Sequence, residues 1–148
     1  MIVKETVKKL LVGSLAAFAW TNIYANTLDS KSAKVSLEVG KFAEISLLND
    51  FSLSPLGQDG AAKAMYEGAD EFRVKSNCPV NVSVSGVDLS NGTYKIQTTY
   101  KLDGADDFMT KGPHNEMHKI SAQATLGDIS EQEAGGYSSQ ITITVSAI

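Results

Sequence analysis

Two histidines separated by four positions have the side chains best suited to chemistry in this sequence. His114 and His118 occur in the segment HNEMH, with Glu116 between them. On a helix, imidazoles at this spacing can bind one Zn²⁺, but a hydrolytic zinc helix also needs glutamate directly after the first histidine. Asn115 occupies that position, and the segment leads into a strand-like pattern. On a strand both rings would share a face but lie far apart. We therefore expect two separate surface histidines.

An acidic stretch just upstream offers a second set of metal-ligand types. Asp103, Asp106 and Asp107 could supply the carboxylate oxygens that Ca²⁺ prefers. The alternating ligands and the closing glutamate of an EF-hand loop are absent, so a solvated acidic turn is the simpler interpretation. We predict no metal and no cofactor. The side chains that remain as weak candidates for metal ligands are His114, Glu116 and His118, together with these three aspartates.

The single cysteine excludes an intrachain disulfide. Cys78 stands between two strand-like segments with no histidine–aspartate pattern beside it, so we expect it to pack as a small hydrophobic side chain. The sequence contains no glycine-rich phosphate loop, serine-centred elbow or paired-carboxylate motif. We predict no catalytic residues and no enzymatic activity.

The first 25 residues have the three-part pattern of a secretory signal peptide. Lys4, Lys8 and Lys9 precede an apolar stretch over 10–20, and Ala25 is a small residue suited to cleavage. This stretch is shorter than the roughly 20 residues of a membrane span, and no second such stretch follows. We predict export, with 1–25 as signal peptide, 26–148 as the mature chain, and no membrane span in that chain.

Alternation of apolar and polar residues dominates the rest of the sequence. It predicts strands over 33–39, 43–47, 51–53, 72–75, 80–86, 94–102, 120–126 and 141–145. Seven or eight strands with one apolar face each must bury those faces against one another. We therefore predict an all-β fold, an immunoglobulin-like or jelly-roll β-sandwich of about seven to eight strands in a single domain over 26–148.

The turns, the loops and the charge complete this organisation. Asn91–Gly92 and Asp103–Gly104 are turn pairs between strands. Two polar stretches, 57–70 and 103–115, are predicted to be long loops. The composition is 43% hydrophobic and 20% charged with a net charge of −4, which is ordinary for a globular protein. No basic face suggests a nucleic-acid partner.

Two segments carry a resemblance to a known family. FRVKSNCPVNVSVSG, over 72–86, places a cysteine between two alternating strands. AGGYSSQITITVSAI, over 134–148, has Gly-x-Tyr followed by an alternating Ile/Thr/Val strand at the chain end. With the signal peptide, this resembles secreted bacterial pilin-like subunits, in particular spore coat protein U-like fimbrial β-sandwich domains. The chain departs from that family in lacking an earlier cysteine to pair with Cys78.

The resemblance implies assembly by donor-strand exchange, in which the N-terminal extension of one subunit completes the sheet of the next. Residues 26–40 would contain the donor strand. An incoming strand supplies backbone hydrogen bonds and fills pockets with alternate side chains. The side chains with that spacing are Ala33, Val35, Leu37 and Val39. The same alternation also fits an ordinary first strand within its own subunit, and the sequence leaves both possibilities open.

Three functional hypotheses follow. The first is a non-enzymatic exported subunit that polymerises head-to-tail into a surface fibre or pilus for adhesion, located at the cell surface, outside the cell or in the periplasm. Its partners would be copies of itself and an assembly chaperone. The second is a monomeric secreted module that binds a glycan or protein through loops 57–70 and 103–115. The third is a metal-dependent enzyme around His114, Glu116 and His118, for which we expect no stoichiometric zinc.

Overall fold

The computed structural model describes residues 29–148, and residues 39–148 form one compact unit. Within it strands are almost the only regular secondary structure, as the alternation predicts. The strands are β1 (Ala43–Ser46), β2 (Ser54–Pro55), β3 (Met65–Ser76), β4 (Val80–Gly86), β5 (Leu89–Ser90), β6 (Lys95–Leu102), β7 (Asp107–Met109), β8 (His114–Thr125) and β9 (Ile141–Ala147). One short 3₁₀ turn, Ile129–Glu131, precedes β9. The predicted all-β sandwich is confirmed.

The larger sheet has six strands, and all of its pairings are antiparallel. Its order is β1-β3-β8-β6-β5, with β2 pairing on the same edge of β3 as β1. The long central pair β3–β8 aligns Met65 with Thr125 and Ser76 with His114. Inward side chains alternate with polar outward ones such as Lys101 and Gln123, which is the pattern of a sheet with one solvated face.

The smaller sheet has three strands in the order β7-β4-β9. Its inner face presents Val80 and Val82 of β4, and the half-buried Ile143 and Val145 of β9. β9 pairs with β4 over its full length of seven residues. Within residues 29–148 it pairs with no other strand, so its second edge is open. The two sheets are therefore unequal, with three strands facing six.

The core divides into two clusters because the smaller sheet covers only part of the larger one. The main cluster lies between the sheets and contains the fully buried Phe72, Leu102 and Ile120. Cys78 is buried in this cluster as a free thiol. The second cluster, around Ile96, Ala124 and Leu126, is bordered by loop residues such as Tyr137 rather than by a strand of the smaller sheet.

Both predicted turn pairs form turns. Asn91 accepts hydrogen bonds at Oδ1 from the backbone N–H groups of Thr93 and Tyr94, closing the turn between β5 and β6. Asp103 and Gly104 both adopt positive φ, at 49° and 85°. This combination is typical of the tight turns that match the twist of the flanking strands. The second turn places the Asp103 carboxylate beside β8.

Both predicted loops are shorter in the structure than in the prediction, because strands occupy part of each. Residues 65–70 belong to β3, and they pair with β8 from Ile120 to Thr125. Residues 107–109 form β7, and β8 begins at His114 rather than near 120. Gly68 and the polar residues around it obscured the alternation, but a central pairing with β8 supplies the ladder that local propensity does not. The nine strands exceed the predicted seven or eight because the short strands β5 and β7 were not predicted; the strand predicted over 51–53 is absent, and the two-residue β2 follows it instead.

The predicted signal peptide, 1–25, lies outside the described residues, as do residues 26–28. Residues 29–42 are described and no strand is assigned within them, so the prediction of a strand over 33–39 is wrong for the single chain. Every residue of this segment is exposed. Nowhere in 29–148 is there a helix with the length and apolar character that crossing a membrane requires.

Candidate functional site

The N-terminal ribbon, residues 33–39, presents an alternating row of aliphatic side chains to solvent. Val35 is 93% exposed and Leu37 is 88% exposed, and Val39 is exposed as well. Ser36 and Glu38 occupy the positions between them. Single exposed aliphatic residues are common on protein surfaces, but a strand-spaced row of them is the pattern of a half-buried strand. The ribbon therefore has the side-chain pattern of a half-buried strand, although within residues 29–148 no strand pairing is assigned to it.

An apolar cleft of about 1100 Å³ opens over the half of the larger sheet that the smaller sheet leaves uncovered. Its floor is the inner face of β3, β8 and β6, including Tyr66, Ala122, Ala124 and Tyr100. The two alanines are central to the volume of the cleft because short side chains on the middle strand leave space above it. Larger aliphatic residues at these positions would fill the cleft from below.

One wall of the cleft is the segment 48–53, which connects β1 to β2. The segment lies between the residues of β1 and of β2 that pair with β3. Within it, Asn49 donates its backbone N–H to Asp70 Oδ2 at 2.7 Å. It returns close to β3 at Gly68, where an added Cβ would lie 2.2 Å from the Ser52 carbonyl oxygen. Glycine at 68 is thus required for this wall to approach the sheet.

The other wall is formed by residues between 129 and 141, ending at the first residue of β9. Tyr100 anchors this wall, since its hydroxyl lies 2.5 Å from Ser139 Oγ and donates to the Val87 carbonyl oxygen at 2.8 Å. Because Ile141 lines the cleft, the open edge of β9 begins at its rim. An open edge carries unpaired backbone N–H and C=O groups, which favour the addition of a further strand.

A second site lies at the opposite end of β8, where the sequence places the two histidines. Contrary to the expectation of separate rings, His114 Nε2 and His118 Nε2 lie 2.8 Å apart. The ring of His118 stacks on Phe108 with centroids 4.1 Å apart, and its side chain is only 10% exposed. Glu116 lies between them on the same strand face, and ligand atoms of all three residues fall within 4.8 Å of one another.

Asp103 ties this cluster to the β6–β7 turn. Its Oδ2 lies 2.7 Å from His118 Nδ1, and its Oδ1 accepts the Lys119 backbone N–H at 2.9 Å. Partial burial raises the pKa of the Asp103 carboxyl, but the hydrogen bonds from His118 and Lys119, and the charge that His118 carries when protonated, lower it. The lowering prevails, so the pKa lies below its ordinary value. Asp103 therefore holds His118 as an ionised acceptor.

The other aspartates do not join Asp103. Asp106 forms an exposed ion pair with Lys101 at 2.6 Å, and Asp107 pairs with Ser83 in the β7–β4 ladder. Across residues 29–148, the only group of three potential metal-binding side chains is that of His114, Glu116 and His118. Asp103 and Asp106 thus lie in the turn between β6 and β7, and Asp107 is the first residue of β7.

Sequence reasoning missed the cleft because it depends on the pairing of distant strands. The available signal was the run of small residues Ala122 and Ala124 in β8, where a core strand normally carries larger aliphatic side chains. The contact between the histidine rings was missed for a related reason. Ideal strand geometry separates them, and only the way the two side chains lean toward each other on the observed strand brings them together.

No family model matches this chain, and no curated protein matches it.

Proposed function

We propose that this protein is an exported, non-enzymatic structural subunit that polymerises by donor-strand complementation. The observation that carries the proposal is that one chain contains two complementary features: a segment with the pattern of a strand, and a sheet with an open edge. The ribbon 33–39 is a strand-patterned segment exposed to solvent, and β9 has an open edge beside an apolar cleft. The ribbon of one copy supplies the strand that the sandwich of the next copy lacks.

The two parts match in length and in side-chain size. The ribbon has seven residues, as does β9. Added beside β9, it would place Ala33, Val35, Leu37 and Val39 on the side facing the cleft, with the polar residues between them in solvent. Small and medium aliphatic side chains suit a cleft with an alanine floor.

The two parts also match in charge. The ribbon itself is neutral, with Lys34 and Glu38, but residues 29–41 carry Lys31, Lys34 and Lys41 against Asp29 and Glu38, a net charge of +1. The residues lining the cleft include Asp50, Asp59 and Glu133 and no lysine or arginine. A weakly basic segment approaching an acidic rim is favoured during encounter, and the same rim disfavours binding of acidic segments.

Head-to-tail donation leaves a free ribbon at one end and a free cleft at the other, so it produces filaments rather than closed rings. The partners are copies of this chain. Export through the predicted signal peptide places the filament at the cell surface or outside the cell, where it would serve adhesion. During transit an assembly chaperone would cover the cleft, since an open edge invites premature pairing.

A charge placed in the ribbon tests the proposal. Leu37→Asp should abolish filaments seen by electron microscopy and sedimentation, because a carboxylate cannot enter an apolar cleft without a partner. Since Leu37 is 88% exposed, the variant monomer should unfold at the wild-type temperature. Ser36→Asp is the matched control: it adds the same charge on the opposite face of the ribbon and should assemble.

Deleting residues 26–40 gives a second test. The expected product is a folded subunit that does not polymerise but accepts a donor from intact protein. The proposal fails if intact mature protein stays monomeric at high concentration while the deletion simply unfolds. It also fails if Leu37→Asp costs folding stability of about 2–5 kcal/mol, the loss typical of a core leucine within its own subunit.

A second candidate is a monomeric secreted module that binds a ligand in the cleft. The observation in its favour is the presence of Tyr66, Tyr100 and Tyr137 in the lining, since aromatic side chains with polar tips are common in such sites. Under this alternative, Leu37→Asp leaves ligand binding unchanged and no filament forms in the wild type. Of the two predicted loops, 57–70 contributes Asp59, Gly60 and Tyr66 to the lining of the cleft, and 103–115 contributes none.

A further inference from the structure

The histidine cluster at the end of β8 already has the arrangement of two metal ligands. His114 Nε2 and His118 Nε2 are 2.8 Å apart. Two nitrogens bound at about 2.0–2.1 Å and at a right angle around one metal lie about 2.9 Å apart, while a tetrahedral arrangement needs about 3.3 Å. A small rotation of either ring therefore spans both geometries.

The hydrogen bond to Asp103 sets the tautomer that a ligand requires. His118 donates from Nδ1 to the ionised Asp103 carboxylate at 2.7 Å, which leaves the lone pair of neutral His118 on Nε2. Metal-binding histidines almost always donate their second N–H to a carboxylate or carbonyl in this way. Stacking on Phe108 further restricts the ring orientation. The positioning of His118 is thus complete before any ion arrives.

Glu116 completes the donor set. Its side chain is exposed, lies between the two histidines on the same face of β8, and brings a carboxylate oxygen within 4.8 Å of both ring nitrogens. Two imidazoles and one carboxylate suit divalent first-row transition metals such as Zn²⁺, Ni²⁺ and Cu²⁺. They do not suit Ca²⁺ or Mg²⁺, which take oxygen ligands.

An unpartnered polar group stands beside this set. Ser76 pairs with His114 in the β3–β8 register and is buried. Within the described part of the chain its hydroxyl oxygen has no hydrogen-bond partner. Buried hydroxyls normally have one, so the vicinity of His114 has hydrogen-bonding capacity that the cluster in its present form does not use.

We infer that His114, Glu116 and His118 form a binding site for a divalent first-row transition-metal ion, with Asp103 as the positioning residue for His118. Binding replaces the N–H···N hydrogen bond between the rings by two nitrogen–metal bonds. The proton of His114 is then carried on its Nδ1, so no proton is lost. Water molecules occupy the remaining coordination positions. The site is remote from the cleft and does not depend on the assembly mechanism.

Calorimetric titration of the untagged protein with Zn²⁺ and Ni²⁺ tests this site. The expected result is binding of one equivalent of either ion, with no binding of Ca²⁺ or Mg²⁺. In NMR spectra the Nε2 resonances of both histidines should shift together as Zn²⁺ is added. Absence of stoichiometric binding, or binding without a change at the histidine nitrogens, would overturn the inference.

Substitutions distinguish the proposed metal ligands from residues that only lie near the site. His114→Gln and Glu116→Gln alter half-buried and exposed side chains, so both should fold; the first should abolish stoichiometric binding and the second should weaken it. Asp103→Asn should reduce affinity about 10- to 100-fold, as expected for loss of a carboxylate behind a histidine ligand. Asp106→Asn, in the same turn region, is the control and should bind like wild type. Equal affinity in wild type and His114→Gln would contradict the assignment.

Discussion

At the scale of single residues, Asp103 contributes both to the backbone turn between β6 and β7 and to the position of the His118 ring. Its positive φ of 49° allows the tight turn between β6 and β7, a conformation that aspartate and asparagine tolerate better than most residues. The same turn directs its carboxylate to His118 and to the Lys119 backbone N–H. The sequence predicts the turn from the Asp–Gly pair, but the hydrogen-bonding partners depend on β8 being adjacent.

The lowered pKa of Asp103 predicts a specific acid sensitivity. The folded-state pKa lies below the value of about 3.9 expected in an unfolded chain. The ionised carboxylate therefore stabilises the fold above that pH, and its contribution is lost as the pH falls through the folded-state pKa. Thermal unfolding should show wild type more stable than Asp103→Asn at pH 6, with the difference shrinking below pH 4.

Asparagine keeps the turn conformation in that comparison, so the pH-dependent part of the difference reports on the charge. Asp106→Asn serves as a second reference because its ion pair with Lys101 is exposed and such pairs contribute little. A wild-type minus Asp103→Asn difference that stays constant from pH 6 to pH 3 would contradict the assigned role of the carboxylate.

At the scale of elements, alternation predicted most of the strands because one face of each strand is buried. In β6, Ile96 and Leu102 face the core while Lys95 and Gln97 face solvent. The pattern failed for the first half of β3, where Gly68 and Asp70 occupy inward positions. Glycine there reflects the close approach of the Ser52 backbone, which local sequence does not reveal.

Gly68 therefore predicts a steric effect on the cleft wall. Gly68→Ala places a Cβ 2.2 Å from the Ser52 carbonyl oxygen, so the segment 48–53 must move or the strand must shift. We expect a destabilisation of about 1–3 kcal/mol, typical of inserting atoms into a packed site, measured by denaturant unfolding. Gly57→Ala, which meets nothing within 4 Å, should change stability by less than about 1 kcal/mol.

The same variant links the wall to assembly. Because segment 48–53 forms one side of the cleft, its displacement should slow polymerisation beyond what the lost stability explains. If Gly68→Ala is as stable as wild type and polymerises at the same rate, then segment 48–53 can move without cost and its close packing against Gly68 is unimportant.

At the scale of the whole molecule, the unequal sheets are the feature that local patterns could not predict. The sequence supports an all-β sandwich with a strand-like N-terminal segment, but it does not say which strands are neighbours. Pairing between β3 and β8 joins residues about 40 to 60 positions apart, and such long-range choices depend on the complete core. The open edge of β9 and the cleft beside it follow from those pairings.

A free peptide with the sequence of residues 29–41 should act as a surrogate donor. It should raise the unfolding temperature of the 26–40 deletion variant in a concentration-dependent way, because a ligand that binds only the folded state stabilises it. The same peptide should cap growing filaments and shorten them. A peptide with aspartate in place of Leu37 is the control and should do neither. Stabilisation by both peptides would show that side-chain docking is not involved.

The most direct test of strand donation is zero-length crosslinking of assembled protein prepared from an equal mixture of light and heavy isotope-labelled chains. Lys34 lies in the ribbon, and Asp50, Asp59 and Glu133 line the cleft. Strand donation predicts amide crosslinks from Lys34 to one of these carboxylates, with light–heavy hybrid masses that prove contact between copies. Crosslinks from Lys34 to the cleft found only within single chains would contradict it.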